Sequence, residues 1–287
     1  MKRITGLLLG TCVLVGGLGI AAAQETTPPP KVLSIQREFI KPGKAGVLHE
    51  KFESAFVQAM TRAKWPTHYL AVNALSGKPR ALFVTGYDSF DAWEKDYMAV
   101  QKNATLSAAL ERASVADGDL LSDFDATALL YRDDYSLRSA VDIAHMRYFE
   151  ISLYRVRPGH NQDWDTLVKM VIAAYQKIPD VHWATYQAIY GQEGGTWVVF
   201  NPMKSASEID QSFDQSKKFI AALGDDMKKF SELEAATIES SQHNWFAFSP
   251  KMSYVSDEWI KADPDFWKPK ASALATPKKM EEKPAAQ

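Results

Sequence analysis

The chain has almost no cysteine. Its one thiol, Cys12, sits in an apolar leader-like stretch, so the segment after it excludes disulfides and thiolate metal sites. It also lacks a basic excess. The 33 Lys and Arg face 35 Asp and Glu, and without Lys2 and Arg3 the balance becomes 31 − 35 = −4, which excludes a basic nucleic-acid footprint. There is no Gly-x-Ser-x-Gly elbow, and "SGK" at 76–78 stands without the rest of a phosphate loop. No His-x-x-x-His, paired-histidine or multi-carboxylate spacing points to zinc or iron. His49 and Glu53 lie four apart with no third donor nearby in sequence, and His145, His160 and His243 are isolated. The expectation is therefore no metal, no tightly held cofactor and no assigned catalytic residue.

What is present begins with Lys2 and Arg3, an apolar run from Leu7 to Ile20, and Ala21-Ala22-Ala23 before Gln24. This is the charge, apolar and small-residue order of a signal peptide, and the run is short for a membrane span of roughly 20 residues. Residues 1–23 are expected to be removed near Ala23, leaving an exported, periplasmic or extracellular protein without stable membrane insertion. Residues 24–31, with Pro28-Pro29-Pro30, are expected to form a linker. Residues 256–287 are assigned to a mostly unstructured tail, on the strength of "KPKASALATPKKMEEKPAAQ" from Lys268 onward.

Between these ends the chain repeats itself. "FIKPGK" at 39–44 returns as "RVRPGH" at 155–160, so Pro42-Gly43 and Pro158-Gly159 lie 158 − 42 = 116 apart. An amphipathic helix follows each copy, and Trp164, Leu167, Val168, Val171, Ile172, Tyr175 and Ile178 make an apolar stripe in the second. At the 116 shift Leu48 falls on Trp164 and Ala59 on Tyr175. Strand pairs then turn at Gly77 and Gly191, and His68 and His182 open the second strand of each copy. Further helix and a closing strand complete β-α-β-β-α-β in residues 32–140 and again in 141–255, the ferredoxin-like order.

Two such units with a Pro-Gly turn after strand one resemble the dimeric α+β barrel superfamily. That group includes antibiotic-biosynthesis-type monooxygenases, NIPSNAP-like proteins and stress-responsive A/B-barrel proteins. The resemblance implies an α+β fold in which two tandem ferredoxin-like units form a pseudo-twofold barrel, the duplication making each unit's partner covalent.

Strand alternation sorts the candidate site. Leu33 and Ile35, with Phe149, Ile151 and Leu153, are expected beneath the helices. The alternate set is expected to face the space between the sheets: Gln36, Glu38, Glu150, Ser152 and Tyr154, joined by Tyr69, Asn73, Trp183, Thr185 and Gln187. Such a mixture suits either a ligand cavity or a wet seam between sheets. Glu38 and Glu150 stand out, since a carboxylate held there would be a candidate general base. Three functions are open at this level. They are binding of a small, partly aromatic molecule, a cofactor-independent monooxygenase or related oxidoreductase as the resemblance implies, and a protein-interaction module. An oligomer is compatible with each.

Intact-mass measurement of the exported protein is expected to place the amino terminus at Gln24. A mature species that keeps Cys12 would contradict both the compartment and the thiol-free chain.

Overall fold

The structure, a computed structural model, describes residues 26–268. The leader through Ala23, with Cys12, and the chain beyond Lys268 lie outside the described residues. The first half runs β1 (Val32–Ile40), α1 (Val47–Ala63), β2 (Tyr69–Ala74), β3 (Arg80–Tyr87), α2 (Phe90–Lys102), α3 (Ala104–Gly118) and β4 (Leu121–Tyr131). The second runs β5 (Tyr148–Val156), α4 (Asn161–Tyr175), β6 (Ala184–Tyr190), β7 (Thr196–Met203), α5 (Ser207–Leu223), α6 (Met227–Thr237) and β8 (Ile238–Phe248). Two short helices follow, α7 (Asp257–Ala262) and α8 (Pro264–Trp267).

The eight strands close into one barrel in the order β1-β3-β2-β8-β5-β7-β6-β4, every neighbouring pair antiparallel. Closure gives every strand a neighbour on both sides, so no strand is left as a free sheet edge along its whole length. The halves meet along two short seams, Val72–Ala74 of β2 against β8 and Ala128–Tyr131 of β4 against β6. The second seam demands glycine at 191. Its φ is +77°, and a Cβ there would stand 2.0 Å from the Ala126 carbonyl oxygen.

Leu33, Ile35, Leu70, Val72, Leu82 and Leu129 from the first half share one core with Phe149, Ile151, Tyr186, Val198, Phe200 and Phe246 from the second. Contact between strands on opposite walls places this set inside the barrel. The helices cover the outside: α1 packs with α3 over one half, and α4 packs with α6 over the other. Local caps support the helices. Ser89 Oγ accepts from Ala92 N at the start of α2, and Asn103 Oδ1 accepts from Leu106 N at the start of α3.

Three expectations change. The apolar strand residues face the barrel interior rather than the helices, because a closed interior is the driest place in the molecule while the helix layers cover the outer face only in part. The helices align at a shift of 115 rather than 116: α1 buries His49 and Ala59 where α4 buries Trp164 and Ala174, and Leu48 is 38% exposed. The flanks join the barrel. In the presumed linker, Thr27 pairs with Val141 and Pro30 accepts a hydrogen bond from the Tyr186 hydroxyl. Residues 257–267 of the expected tail fold as α7 and α8. Trp267, 4% exposed, packs on Phe248 and donates its indole N–H to the Ala144 carbonyl at 2.9 Å, while Asp263 pairs with Arg147.

Trp267→Ala should open this plug and lower the free energy of urea unfolding by about 3–5 kcal/mol. A loss under about 1 kcal/mol, within the range of an ordinary surface change, would mean the terminal helices are not part of the core.

Candidate functional site

The apolar interior is not filled at one end. The starts of β1, β2, β5 and β6 and the ends of β3 and β7 surround a cavity of about 290 Å³ lined by Leu33, Leu70, Val84, Phe149, Ala184 and Tyr186, with Phe200 behind them. Pro28–Pro30 and Trp259 close over it, and His68, Tyr69, His182 and Trp183 stand at its rim. The strap lies so close that a Cβ on Gly86 would meet the Pro30 ring at 2.4 Å. His182 donates Nε2–H to the Pro202 carbonyl at 2.8 Å, and His68 stacks on Tyr254.

Of the ten residues expected in the shared space, only Tyr69 and Trp183 border this cavity. The others do not gather there. Gln36 is exposed on the outer face of β1. Asn73 pairs in register with Ala81 and Ala247. Thr185 Oγ1 and Trp183 Nε1 both donate to the Tyr135 carbonyl, and Gln187 accepts from Arg132. Ser152 bonds His243 at 2.8 Å, Tyr154 meets the same imidazole edge-on, and Glu150 lies 3.8 Å from it. Glu150 also borders an open groove of about 890 Å³ beside α5. The expected single polar site is thus dispersed: Thr185 and Gln187 join Tyr135 and Arg132, Glu150, Ser152 and Tyr154 gather at His243, and Glu38 lies apart from both under α1.

The group around Glu38 is the most unusual. Glu38 projects from β1 against α1, where the one-turn pair His49 and Glu53 meets it, and Asp117 arrives from the end of α3. Their four ligating atoms lie within 4.8 Å of one another. Exposure is 8% for Glu38, 1% for His49, and 2% each for Glu53 and Asp117. His49 Nε2 is 3.0 Å from Glu38 Oε2 and 3.7 Å from Asp117 Oδ1. Arg37 does not help, being held by Asp125 across the β1–β4 register at 2.5 and 2.7 Å. Burial, then the charges of Glu38 and Asp117, push Glu53 up to about 9; burial, then Glu38, push Asp117 up to about 6. Burial first, with Glu53 and Glu38 behind it, also raises the Tyr69 phenol above its ordinary value.

The argument that His49 and Glu53 lack a third donor does not survive folding, since β1 and α3 supply two. Glu38, His49 and Glu53 each drew notice in the sequence. Asp117 did not, as nothing in a helix end 68 positions beyond His49 (117 − 49) marks it as a neighbour.

A carboxyl whose folded pKa lies above its unfolded one binds a proton on folding. Its stabilisation is whole below the ordinary 4.5 and drains away as pH rises toward about 9 for Glu53, with Asp117 acting in the same direction from 3.8 toward about 6. In metal-free buffer Glu53→Gln should therefore exceed the parent in unfolding free energy at pH 9 by about 1–3 kcal/mol, the cost of an unsatisfied buried group. The gain should vanish by pH 4. Parallel pH profiles for the two proteins would show that Glu53 is not the titrating group.

No family model matches the chain, and no curated protein sequence matches it significantly. Solved structures similar to it include a proposed monooxygenase from Fusobacterium nucleatum subsp. nucleatum, 10% identical, covering 77% of this chain and 93% of that one with a TM-score of 0.49. An anthrone oxidase-like protein is 13% identical over 76% of this chain and 92% of its own, TM-score 0.47. A chlorite dismutase variant from Candidatus Nitrospira defluvii is 9% identical over 81% and 95%, TM-score 0.46. These neighbours have the dimeric α+β barrel fold, and at such identities and scores no activity passes from them to this chain.

Proposed function

We propose that the chain is an exported protein whose barrel binds a small, largely apolar, partly aromatic molecule. The cavity of about 290 Å³ carries this reading. Apolar residues of both halves line it, aromatic and imidazole groups stand at its rim, and a strap and a terminal helix cover it, which is the make-up of a ligand pocket. An apolar cavity of about 150 Å³ suffices for benzene, so a bicyclic aromatic is the appropriate size class. The proposal includes export by the amino-terminal leader. Among the described residues no helix is long and apolar enough to cross a membrane.

It also includes the reading of the barrel as two tandem ferredoxin-like units about an approximate twofold. Matching strand orders support that reading: β4-β1-β3-β2 in one half, β8-β5-β7-β6 in the other, each seam joining the second strand of one half to the last strand of the other. The β1–β3 pair Glu38–Ala81 recurs 116 residues later as Tyr154–Trp197.

Trp183 and Trp259 border the cavity, so binding can be followed by their fluorescence. Titration with 1-naphthol is expected to give one saturable site. Ala184→Phe and Val84→Phe, which fill the cavity from two walls, should weaken it by about 10-fold or more, equivalent to roughly 1.4 kcal/mol. No saturable signal, or equal affinity in both filled variants, would overturn the cavity as the site. Oxygen consumption with an electron-rich naphthol would add catalysis to binding and select the oxidoreductase reading.

A further inference from the structure

The buried group under α1 poses a charge problem that the cavity does not. Three carboxylates share a dry space with one imidazole, and among the described residues no lysine or arginine reaches any of them. Even a protonated His49 would offset only one of three ionised carboxylates. Buried charge is tolerated when it is paired or when it binds a metal. Pairing is incomplete here. Glu53 Oε1 and both oxygens of Asp117 are buried without a hydrogen-bond partner, as is the Tyr69 hydroxyl from β2.

The other half shows that the fold does not require this arrangement. Tyr154 occupies the register position of Glu38, and Trp164 is the buried helix residue that answers to His49. Where Glu38 and His49 touch at 3.0 Å, the rings of Tyr154 and Trp164 pack at 5.8 Å in an apolar cluster with Trp197 and Leu167. The same space beneath the same kind of helix is filled with aromatic carbon in one copy and with four ligating groups in the other. A structural role alone would be met by the aromatic solution, which leaves one neutral indole N–H, that of Trp164, unpartnered but buries no carboxylate.

We propose that Glu38, His49, Glu53 and Asp117 hold one divalent first-row transition-metal ion of the Mn(II), Fe(II) or Zn(II) kind. Bonds of roughly 2.1 Å put two ligands on opposite sides of such an ion about 4.2 Å apart. The four atoms lie within 4.8 Å of one another, close to that span. His49 and Glu53, one helical turn apart, bind from one side, with Glu38 and Asp117 opposite on two further elements. Three oxygens and one imidazole disfavour Cu(I), which seeks thiolate and thioether, and the imidazole disfavours Mg²⁺ and Ca²⁺. The Tyr69 hydroxyl, also buried and without a partner, is near enough for the charges of Glu53 and Glu38 to act on it.

The test uses the mature chain from Gln24, stripped with chelator and titrated with Zn²⁺ or Mn²⁺ in calorimetry. One ion per chain by elemental analysis and a raised unfolding temperature are expected, with Mg²⁺ and Ca²⁺ at least about 10-fold weaker. His49→Gln and Asp117→Asn should each lower affinity by at least about 100-fold, the upper end of what losing an outer-shell partner costs. The Mn²⁺ spin should couple to an imidazole nitrogen in the parent and lose that coupling in His49→Gln. Asp117→Asn, which keeps shape and removes a charge from the crowd, serves as the folded test if His49→Gln does not fold. No stoichiometric ion, or unchanged affinity in Asp117→Asn, would overturn the site and leave a proton-sharing cluster. Neither result depends on whether the barrel cavity binds a ligand.

Discussion

Everything else in the molecule follows from closing the sheet. An open four-stranded sheet exposes two edges and one uncovered face, and each half of this chain would be left with both. Joining β2 to β8 and β4 to β6 removes the edges and seals the uncovered faces against one another. The seams are short, so they bring little pairing of their own. The interior they enclose brings the stabilisation, since Leu, Ile, Val and Phe from eight strands lose water together. Gly191 and Gly86 are the local concessions, one where β4 passes within bonding distance and one where the proline strap crosses.

Closure also ranks the spaces of the fold by dryness. The barrel interior comes first, with one end covered by the strap from Thr27 together with Trp259 and its neighbour Trp267. The helix layers come second, because α1 and α3, or α4 and α6, can exclude water only over their own footprint. In the second half that layer is built from Trp164, Trp197, Leu167 and Phe230. In the first it holds Glu38, His49, Glu53 and Asp117, and its burial is as deep. The two helix layers therefore hold opposite chemistry, and in the first the unpartnered buried atoms include three carboxylate oxygens, of Glu53 and Asp117.

This asymmetry separates two candidate sites in space. The apolar cavity belongs to both halves and opens at one end of the barrel. The ligating cluster belongs to the first half and lies outside the barrel wall, and Tyr69 is the residue that borders the cavity while its hydroxyl feels Glu53 and Glu38.

The sequence by itself determined the order of elements, the turn glycines at 77 and 191 and the helical stripe through Trp164 and Leu167, and it singled out Glu38, and the one-turn pair His49 and Glu53, as groups to inspect. Those are local properties: periodicity, positive φ and side-chain chemistry act within a few residues. Which strand face looks inward was not local. Alternation separates Leu33 and Ile35 from Gln36 and Glu38, yet it gives both faces the same period, and only competition between the barrel interior and the helix layer assigns them. The fold of Trp259 and Trp267 onto the barrel depends likewise on a surface that no short window contains. Asp117 became a neighbour of His49 because α3 packs on α1, a contact set by the shape of both helices against the sheet. Tertiary structure alone decided that meeting, because a ligand set is a property of distances in space, and chain spacing constrains those only within one helix or strand.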